Sequence, residues 1–233
     1  LRVHDHPALA KAAQDGDAVV PLFILDPKIL KGRHASANRN RFLLECLQDL
    51  KDSLKAMGAD LVIRTGDTVK ELQRIVDELD AEAVYYTADY SPFAIHRDKQ
   101  VHSLFEKTTV SVRSFSGRLI VSSVDKLATK TGTPHKVFTP FFNAWQQVGR
   151  RALAGIPQNL RLPPHAVIGS LPKLSDIAHQ AELSPDVLKG GESEARKRLK
   201  HFLAGDIKDY HEQNNDLAAD ATSRLSAYLR ESS

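Results

Sequence analysis

The segment from position 221 to 226 carries side chains that suit phosphate binding. The hydroxyls of Thr222, Ser223 and Ser226 and the guanidinium of Arg224 fall within five positions at the start of a helical pattern. Hydroxyls and free backbone amides at a helix N-terminus can hold an anion such as phosphate. The alternative is that Thr222 or Ser223 is an ordinary helix N-cap. Tyr210, which lies earlier in the same region, is by the same reasoning a packed helix residue.

A second unusual segment lies between Lys136 and Trp145. It contains four aromatic side chains, including the only tryptophan of the chain. Because such side chains bury a large apolar area, we expect Phe138, Phe141 and Trp145 to be largely buried and to fasten the surrounding chain to a domain surface. Base stacking on nucleic acid is the alternative, although Lys136 is the only basic residue in the run.

The composition gives little support to metal or disulfide chemistry. Cys46 is the only cysteine, so an internal disulfide and a thiolate metal cluster are excluded, and its helical surroundings predict a small buried side chain. The ten histidines lack metal-ligand spacing, and we therefore expect no metal and assign no catalytic residue.

Charge and hydropathy indicate which partners and which compartment to expect for the protein. A formal net charge of +3 is too small to indicate a nucleic-acid surface, and the basic run at 196–200 is interpreted as a solvated helix face. No stretch resembles a membrane span or a secretion signal, which predicts a cytoplasmic protein without a membrane partner.

Alternating strands and helices must position these residues. Apolar runs predict strands at 19–25, 60–64, 83–86 and 110–115, and helical periodicity separates them. Parallel neighbours need crossover connections that cover the sheet. The pattern therefore predicts an α/β fold with a parallel, doubly wound, Rossmann-like sheet and helices on both faces.

The start of this pattern is irregular. A helix is predicted at 7–14 with no strand before it, and Leu1 opens the chain without an initiator methionine. We therefore expect a first strand to be absent and an exposed position or groove to remain in the sheet, either open or filled by another chain.

The character of the sequence changes after Phe115. Glycine and proline punctuate the region up to Pro185 with little helical period, which predicts an extended connector. An amphipathic helical pattern then follows Gly190 and Gly191. We expect an α/β domain at 1–116, a connector at 117–185 and the start of an all-α domain at 186–233.

Several motifs in this order resemble those of DNA photolyases and cryptochromes, over essentially all 233 residues. The matching segments are LRVHDHPAL at 1–9, FILDP at 23–27, NR at 38–39, DYSP at 89–92, RD at 97–98, GTP at 132–134, VFTPF at 137–141 with Trp145, GGE at 190–192 with Ala195, and TSRLS at 222–226.

The resemblance implies two cofactor sites. In that family an N-terminal α/β domain holds a light-harvesting antenna and a C-terminal helical domain binds FAD. Thr222, Ser223, Leu225 and Ser226 would then belong to the FAD pyrophosphate site, with Tyr210 beside it.

The antenna would be a second chromophore, namely a deazaflavin, a folate or FMN. Arg39 and Asp89 match antenna-pocket positions of the deazaflavin-binding members. Considered without the resemblance, Arg39 and Asp89 are surface or helix-cap residues.

Three positions depart from the family pattern. His6 stands where asparagine is usual, His135 where tyrosine is common, and Asn214 where an arginine commonly follows the matched Tyr210. The last departure puts one charge partner of the flavin domain in doubt.

The resemblance implies part of a light-dependent deoxyribodipyrimidine photolyase, a carbon-carbon lyase that repairs pyrimidine dimers in UV-damaged DNA by electron transfer from photoexcited reduced FAD. The remaining flavin-binding helices and the lesion pocket lie beyond Ser233 in the family, and positions 186–233 hold eight basic and nine acidic residues. We therefore expect this chain alone to be inactive and not to bind DNA tightly. The alternatives are a cryptochrome blue-light photoreceptor and a stand-alone nucleotide-binding module. The connector and the second, helical region disfavour the stand-alone module.

Overall fold

A computed structural model of the protein describes residues 1–32, 35–121, 124–129, 131–178, 183–216 and 218–231. The strands are β1 (Leu22–Leu25), β2 (Val62–Thr65), β3 (Ala83–Thr87) and β4 (Ser111–Phe115). The α-helices of the described ranges are α1 (Pro7–Asp15), α2 (Pro27–Leu30), α3 (Ala37–Ala56), α4 (Thr68–Glu78), α5 (Pro92–Phe105), α6 (Phe138–Gln147), α7 (Leu174–Ile177), α8 (Glu192–Ala204), α9 (Tyr210–Gln213) and α10 (Ser226–Glu231).

All four predicted strands are present and parallel to their neighbours. β1 pairs with β2 in the register Phe23 to Ile63, and β3 pairs with β4 in the register Tyr85 to Arg113. The predicted α/β class with a parallel, Rossmann-like arrangement is confirmed. β1 is shorter than predicted because it begins only after Pro21, whose nitrogen has no hydrogen to donate.

The strands form two separate pairs instead of one continuous sheet. No ladder joins β1 to β3, both of which lie wholly within the described residues. This gap agrees with the expectation of an open position in the sheet.

The N-terminal segment 1–7 crosses the carboxyl ends of both pairs. Val3 is buried in the same cluster as Leu25 at the end of β1. The Arg2 Nη2 donates to the Gly117 carbonyl at 2.7 Å, and a Cβ at Gly117 would lie 3.1 Å from a methyl of Thr87 at the end of β3. The gap between the pairs is therefore spanned at this end by residues 1–7.

Each strand pair has its own apolar core. Leu25, Leu47, Leu54, Leu61 and Ile63 belong to a buried cluster between α3 and the β1–β2 pair. A second buried cluster lies against the β3–β4 pair and contains Val76, Val101 and Phe105 from α4 and α5. Helix α4 links the two halves, because the Thr68 hydroxyl on its first turn also donates to Asp26 Oδ2 at 3.1 Å.

Described residues of the predicted connector, 117–185, bind the backbone of the first region. The carbonyls of Arg161 and Ile168 accept hydrogen bonds from the amides of Val19 and Ile63, and the Leu160 amide donates to the Met57 carbonyl. The Asn40 side chain also donates to the Ile177 carbonyl at 3.1 Å.

The expectation of little helical period in this connector was wrong at α6. Phe138, Phe141, Phe142 and Trp145 lie at the i, i+3, i+4 and i+7 positions, which is the spacing of one helix face. The aromatic character of the run concealed a helical pattern that was already present in the sequence.

The expected burial of these aromatic residues was also wrong. Phe138 is 71% exposed and Phe141 is 37% exposed, while Trp145 is half-buried. Instead of packing on a core, Phe138, Phe142 and Trp145 stack on one another, with ring centroids 5.6 and 5.9 Å apart. The Arg150 guanidinium lies 3.8 Å from the centre of the Trp145 ring. The stacked rings of Phe138, Phe142 and Trp145 therefore keep one side exposed to solvent.

Candidate phosphate-binding site

The start of α8 is held against α3 by a Gly-Gly turn. A Cβ at Gly190 would lie only 2.4 Å from the Phe42 carbonyl oxygen. Gly191 has a φ of +116°, a backbone conformation that residues other than glycine rarely adopt. The Gly190 amide donates to Glu45 Oε2 at 2.7 Å, and the Gly191 amide donates to Cys46 Sγ at 3.1 Å. Cys46 is buried, as predicted from its position in the helical pattern.

Glu192, the first residue of α8, ties the helix to the N-terminal segment. Its carboxylate accepts a hydrogen bond from the Val3 amide at 2.9 Å and lies 2.9 Å from His4 Nδ1. The Ser193 amide donates to Asp49 Oδ2 at 3.1 Å. Acidic side chains therefore meet the first turn of this helix, where they stabilise its positive end.

The segment 221–226 is anchored on the same part of α3. Tyr228 is buried, its ring packs edge-on against Phe42 with centroids 5.2 Å apart, and its hydroxyl donates to the Lys189 carbonyl at 2.6 Å. Burial raises the pKa of the Tyr228 hydroxyl above its usual value. Leu225 packs on this cluster, so its role in the described structure is an apolar anchor.

Two of the predicted phosphate-binding residues face a cavity that α8 closes on the other side. The cavity has a volume of about 260 Å³. Its lining consists of Lys197, Arg198, His201, Phe202, Asp206, Asp220, Thr222 and Ser223. Thr222 and Ser223 are thus brought together with one face of α8.

Each acidic group of this lining lies near a basic side chain. Asp220 Oδ1 accepts from Arg224 Nε at 2.7 Å, and Asp206 Oδ2 lies 4.0 Å from His201 Nε2. Lys197 is paired with Glu194 at 2.7 Å, and this ion pair lowers the pKa of the Glu194 carboxyl.

The other predicted members of the site lie around the cavity and not in its lining. Tyr210 is exposed at the start of α9, and its ring meets Phe202 edge-on with centroids 5.8 Å apart. Ser226 is exposed at the start of α10. Since α10 begins at Ser226, Thr222 and Ser223 precede that helix by several residues and do not cap it.

Arg39 and Asp89, the predicted antenna residues, have different surroundings. Arg39 is exposed on the first turn of α3, where its backbone amide donates to the capping hydroxyl of Ser36 at 3.3 Å. Asp89 follows β3, is paired with Arg118, and accepts from the Ser91 amide at 3.0 Å. Partial burial alone would raise the pKa of Asp89, but the Ser91 amide and the Arg118 charge together lower it.

The interpretation of the basic run at 196–200 as a solvated helix face needs correction at one position. Arg198 is half-buried and lines the cavity, whereas Arg196 and Lys200 are exposed. The sequence carries part of this signal, because 198 and 202 are one helical turn apart and can share a face. Which face meets the segment 221–226 depends on tertiary packing and could not be read from spacing.

In the described part of the chain, no helix is long and apolar enough to cross a membrane. In the same ranges, no three histidine, cysteine, aspartate or glutamate side chains come together in the way that a metal site requires.

Known proteins similar to this chain share both its sequence and its fold. A family model described as DNA photolyase matches residues 1–161. The chain is 32% identical over 230 residues to the deoxyribodipyrimidine photo-lyase of Streptomyces griseus, covering 98% of this chain and 50% of that protein. It is 30% identical over 245 residues to cryptochrome DASH of Gloeobacter violaceus, covering 98% of this chain and 48% of that protein.

A solved structure extends the similarity to three dimensions. The chain matches the crystal structure of a bacterial class III photolyase from Agrobacterium tumefaciens with a TM-score of 0.83 and 29% identity, covering 99% of this chain and 48% of that one. This chain therefore spans about half the length of the relatives that it matches.

Proposed function

Because this chain belongs to the DNA photolyase family, we propose that it forms part of a light-dependent deoxyribodipyrimidine photolyase. In this proposal residues 1–116 are the antenna domain, 117–185 the connector and 186–233 the start of the FAD-binding domain. The substrate of the whole protein is UV-damaged DNA. The cavity that α8 forms with Thr222 and Ser223 is the observation that supports FAD binding by this chain.

The residues around this cavity fit one part of FAD. Thr222 and Ser223 place two hydroxyls, each able to donate a hydrogen bond, in a wall that also holds cationic side chains. The volume of about 260 Å³ lies below the roughly 300–1,000 Å³ typical of pockets that enclose a whole organic ligand. The site therefore suits the diphosphate, and residues outside this cavity must enclose the rings of the flavin.

When bound, photoexcited reduced FAD supplies the electron that splits the pyrimidine dimer. The residues of this chain position that cofactor and do not react with the DNA. Leu225 and Tyr228 fix the segment on α3, the hydroxyls bind the diphosphate, and Phe202 brings the Tyr210 ring to the edge of the site.

A repair assay tests the proposal. The complete protein that carries this chain should remove pyrimidine dimers from UV-irradiated DNA under blue light and not in the dark, and this chain by itself should not. Replacing Thr222 and Ser226 by alanine in the complete protein should weaken FAD retention, because each lost hydrogen bond to a charged group costs about 1.5–3 kcal/mol. A double variant with unchanged flavin content would remove these hydroxyls from the site.

A cryptochrome photoreceptor is the second candidate, and the 30% identity to cryptochrome DASH favours it specifically. The same repair assay separates the two, because a protein that binds FAD and responds to light without repairing dimers is a photoreceptor and not a photolyase.

We also propose a second chromophore, a deazaflavin, a folate or FMN, near Arg39 and Asp89. Asp89 has a limited capacity for this role, because Arg118 and the Ser91 amide already bind its carboxylate. Extraction of chromophores from the purified complete protein, followed by absorption spectra and mass measurement, identifies which of the three is present.

A further inference from the structure

We propose that Arg198 provides the cation that binds the diphosphate in the cavity between α8 and the segment 221–226. This inference rests on the proposed function, because it names a binding residue of the same cofactor site. It concerns a side chain on a different element from the hydroxyls, about one helical turn before Phe202.

Within the described part of the chain, Arg198 has no partner at ion-pair or hydrogen-bond distance, and its charge acts on Glu194 only as a weaker contribution to the lowered pKa of that carboxyl. Lys197 is already paired with Glu194 and is 73% exposed at its side chain, and Arg224 is paired with Asp220. The nearest acidic side chain on the same helix, Glu194, is occupied by Lys197 at 2.7 Å and Lys189 at 3.8 Å. Arg198 is therefore the cation of the lining that is available to a ligand.

The hydroxyls of Thr222 and Ser223 in the same cavity are also available to a ligand. Within the described ranges, neither Thr222 nor Ser223 makes a side-chain hydrogen bond to another residue. A guanidinium can only donate, and a hydroxyl can donate while it also accepts. Three donors that face one cavity call for an anion with several acceptor oxygens, and Asp220, one of the two acidic groups of the lining, is already paired with Arg224.

A diphosphate matches this arrangement because it has enough oxygens to accept from the guanidinium and from both hydroxyls at once. The planar guanidinium can bind two phosphate oxygens at once, which a lysine ammonium cannot do with the same geometry. Its position opposite the hydroxyls would leave one phosphate to Arg198 and the adjacent phosphate to Thr222 and Ser223. Phe202, in the same lining, offers an apolar surface next to them.

Arg196 provides a matched control. It carries the same side chain on the same helix, two residues away, but it is exposed and does not line the cavity. Arg196→Gln and Arg198→Gln therefore remove the same charge from α8, and only the second removes a group from the proposed site.

The experiment titrates this chain with inorganic pyrophosphate and with ADP by calorimetry into the millimolar range, with adenosine as the ligand that lacks phosphate. We expect Arg198→Gln to weaken pyrophosphate and ADP binding by about ten-fold or more, as expected for the loss of charge-assisted hydrogen bonds. We expect Arg196→Gln to weaken it less than two-fold, and Arg198→Lys to give an intermediate loss.

Several outcomes would overturn the inference. They are equal losses in the Arg196 and Arg198 variants, no loss in Arg198→Gln, and no pyrophosphate or ADP binding by the unaltered chain. If Arg198→Gln does not give the circular dichroism spectrum of the folded chain, Arg198→Lys decides, because it keeps the charge and changes only the geometry.

The result is separable from that of the repair assay. Pyrophosphate binding that depends on Arg198, in a protein that neither binds flavin nor repairs DNA, would refute the proposed function and leave an anion site. If the protein repairs DNA but its diphosphate binding does not depend on Arg198, only this inference is refuted.

Discussion

At the scale of single residues, His6 shows how one side chain can link folding to pH. Its Nδ1 accepts a hydrogen bond from the Leu9 amide at 3.1 Å and so caps α1. Burial lowers the pKa of His6 from 6.5 to about 4, and neighbouring positive charges such as Arg2 act in the same direction. The cap requires an unprotonated nitrogen, so the chemistry of the cap and the direction of the shift agree.

Acid should therefore destabilise the protein through His6. The unfolded chain binds this proton at a higher pH than the folded chain, so the stabilisation is complete above the unfolded pKa and is lost as the pH falls from 6.5 towards 4. His6→Asn keeps a strong N-cap residue and removes the titration. Urea unfolding at neutral pH and at about pH 4.5 should show roughly 2–3 kcal/mol less acid-induced loss in His6→Asn than in the unaltered chain. The exposed His165→Asn serves as control, and an equal acid response in all three proteins would contradict the prediction.

At the scale of elements, Tyr228 determines where α10 and the segment 221–226 lie. Tyr228→Phe should keep the contact with Phe42 and lose only the hydroxyl bond to the Lys189 carbonyl, a change of about 1 kcal/mol in the free energy of unfolding. Tyr228→Ala should also empty the space beside Phe42 and Cys46 and cost about 3–5 kcal/mol. Chemical denaturation measures both changes. If the two variants lose the same stability, the ring does not anchor the segment.

The strand pairs predict an alternating pattern of amide protection. Residues of a parallel strand direct both their N–H and C=O groups alternately to one neighbour and to the other. The Leu25 carbonyl accepts from Gly66 N at 3.2 Å and the Ala88 amide donates to Phe115 O at 3.0 Å, which sets the alternation in β1 and β3. The unpaired positions in these strands are then Leu22, Ile24, Ala83, Tyr85 and Thr87.

Hydrogen exchange followed by NMR measures this directly. The amides of Leu22, Ile24, Tyr85 and Thr87 should exchange much faster than those of Phe23, Val84 and Tyr86, which face a paired strand. Uniform protection along β3 would show that another segment pairs with its second edge.

The sequence predicted the secondary-structure elements better than it predicted how those elements pack against one another. Apolar periodicity located all four strands and the α3 helix, because those signals are local. The helical spacing in α6 is also a local signal, whereas the exposure of Phe138 depends on what packs against it. Likewise Thr222 and Ser223 were found from their spacing, whereas Arg198 joins them only because the Gly-Gly turn and α3 aim α8 at that segment.

At the scale of the whole molecule, the cavity is too small to hold FAD alone. We expect this chain to bind FAD poorly, because contacts to the diphosphate must offset the ordering of a large ligand and of the last helix. Titration of the chain into FAD, followed by flavin fluorescence, tests this expectation. Saturable binding in the micromolar range would show that residues 1–233 form the greater part of the site, and a Thr222→Ala variant would show whether it is the site described above.

The gap between the β1–β2 and β3–β4 pairs would couple stability to any strand that binds there. A strand that entered the gap would pair with the folded form only, so the free energy of unfolding would rise with the logarithm of the free concentration of that strand. The edges of a second copy of the chain offer such a strand as well. If a second copy pairs in this way, the melting temperature rises with the concentration of the protein, and dilution lowers it.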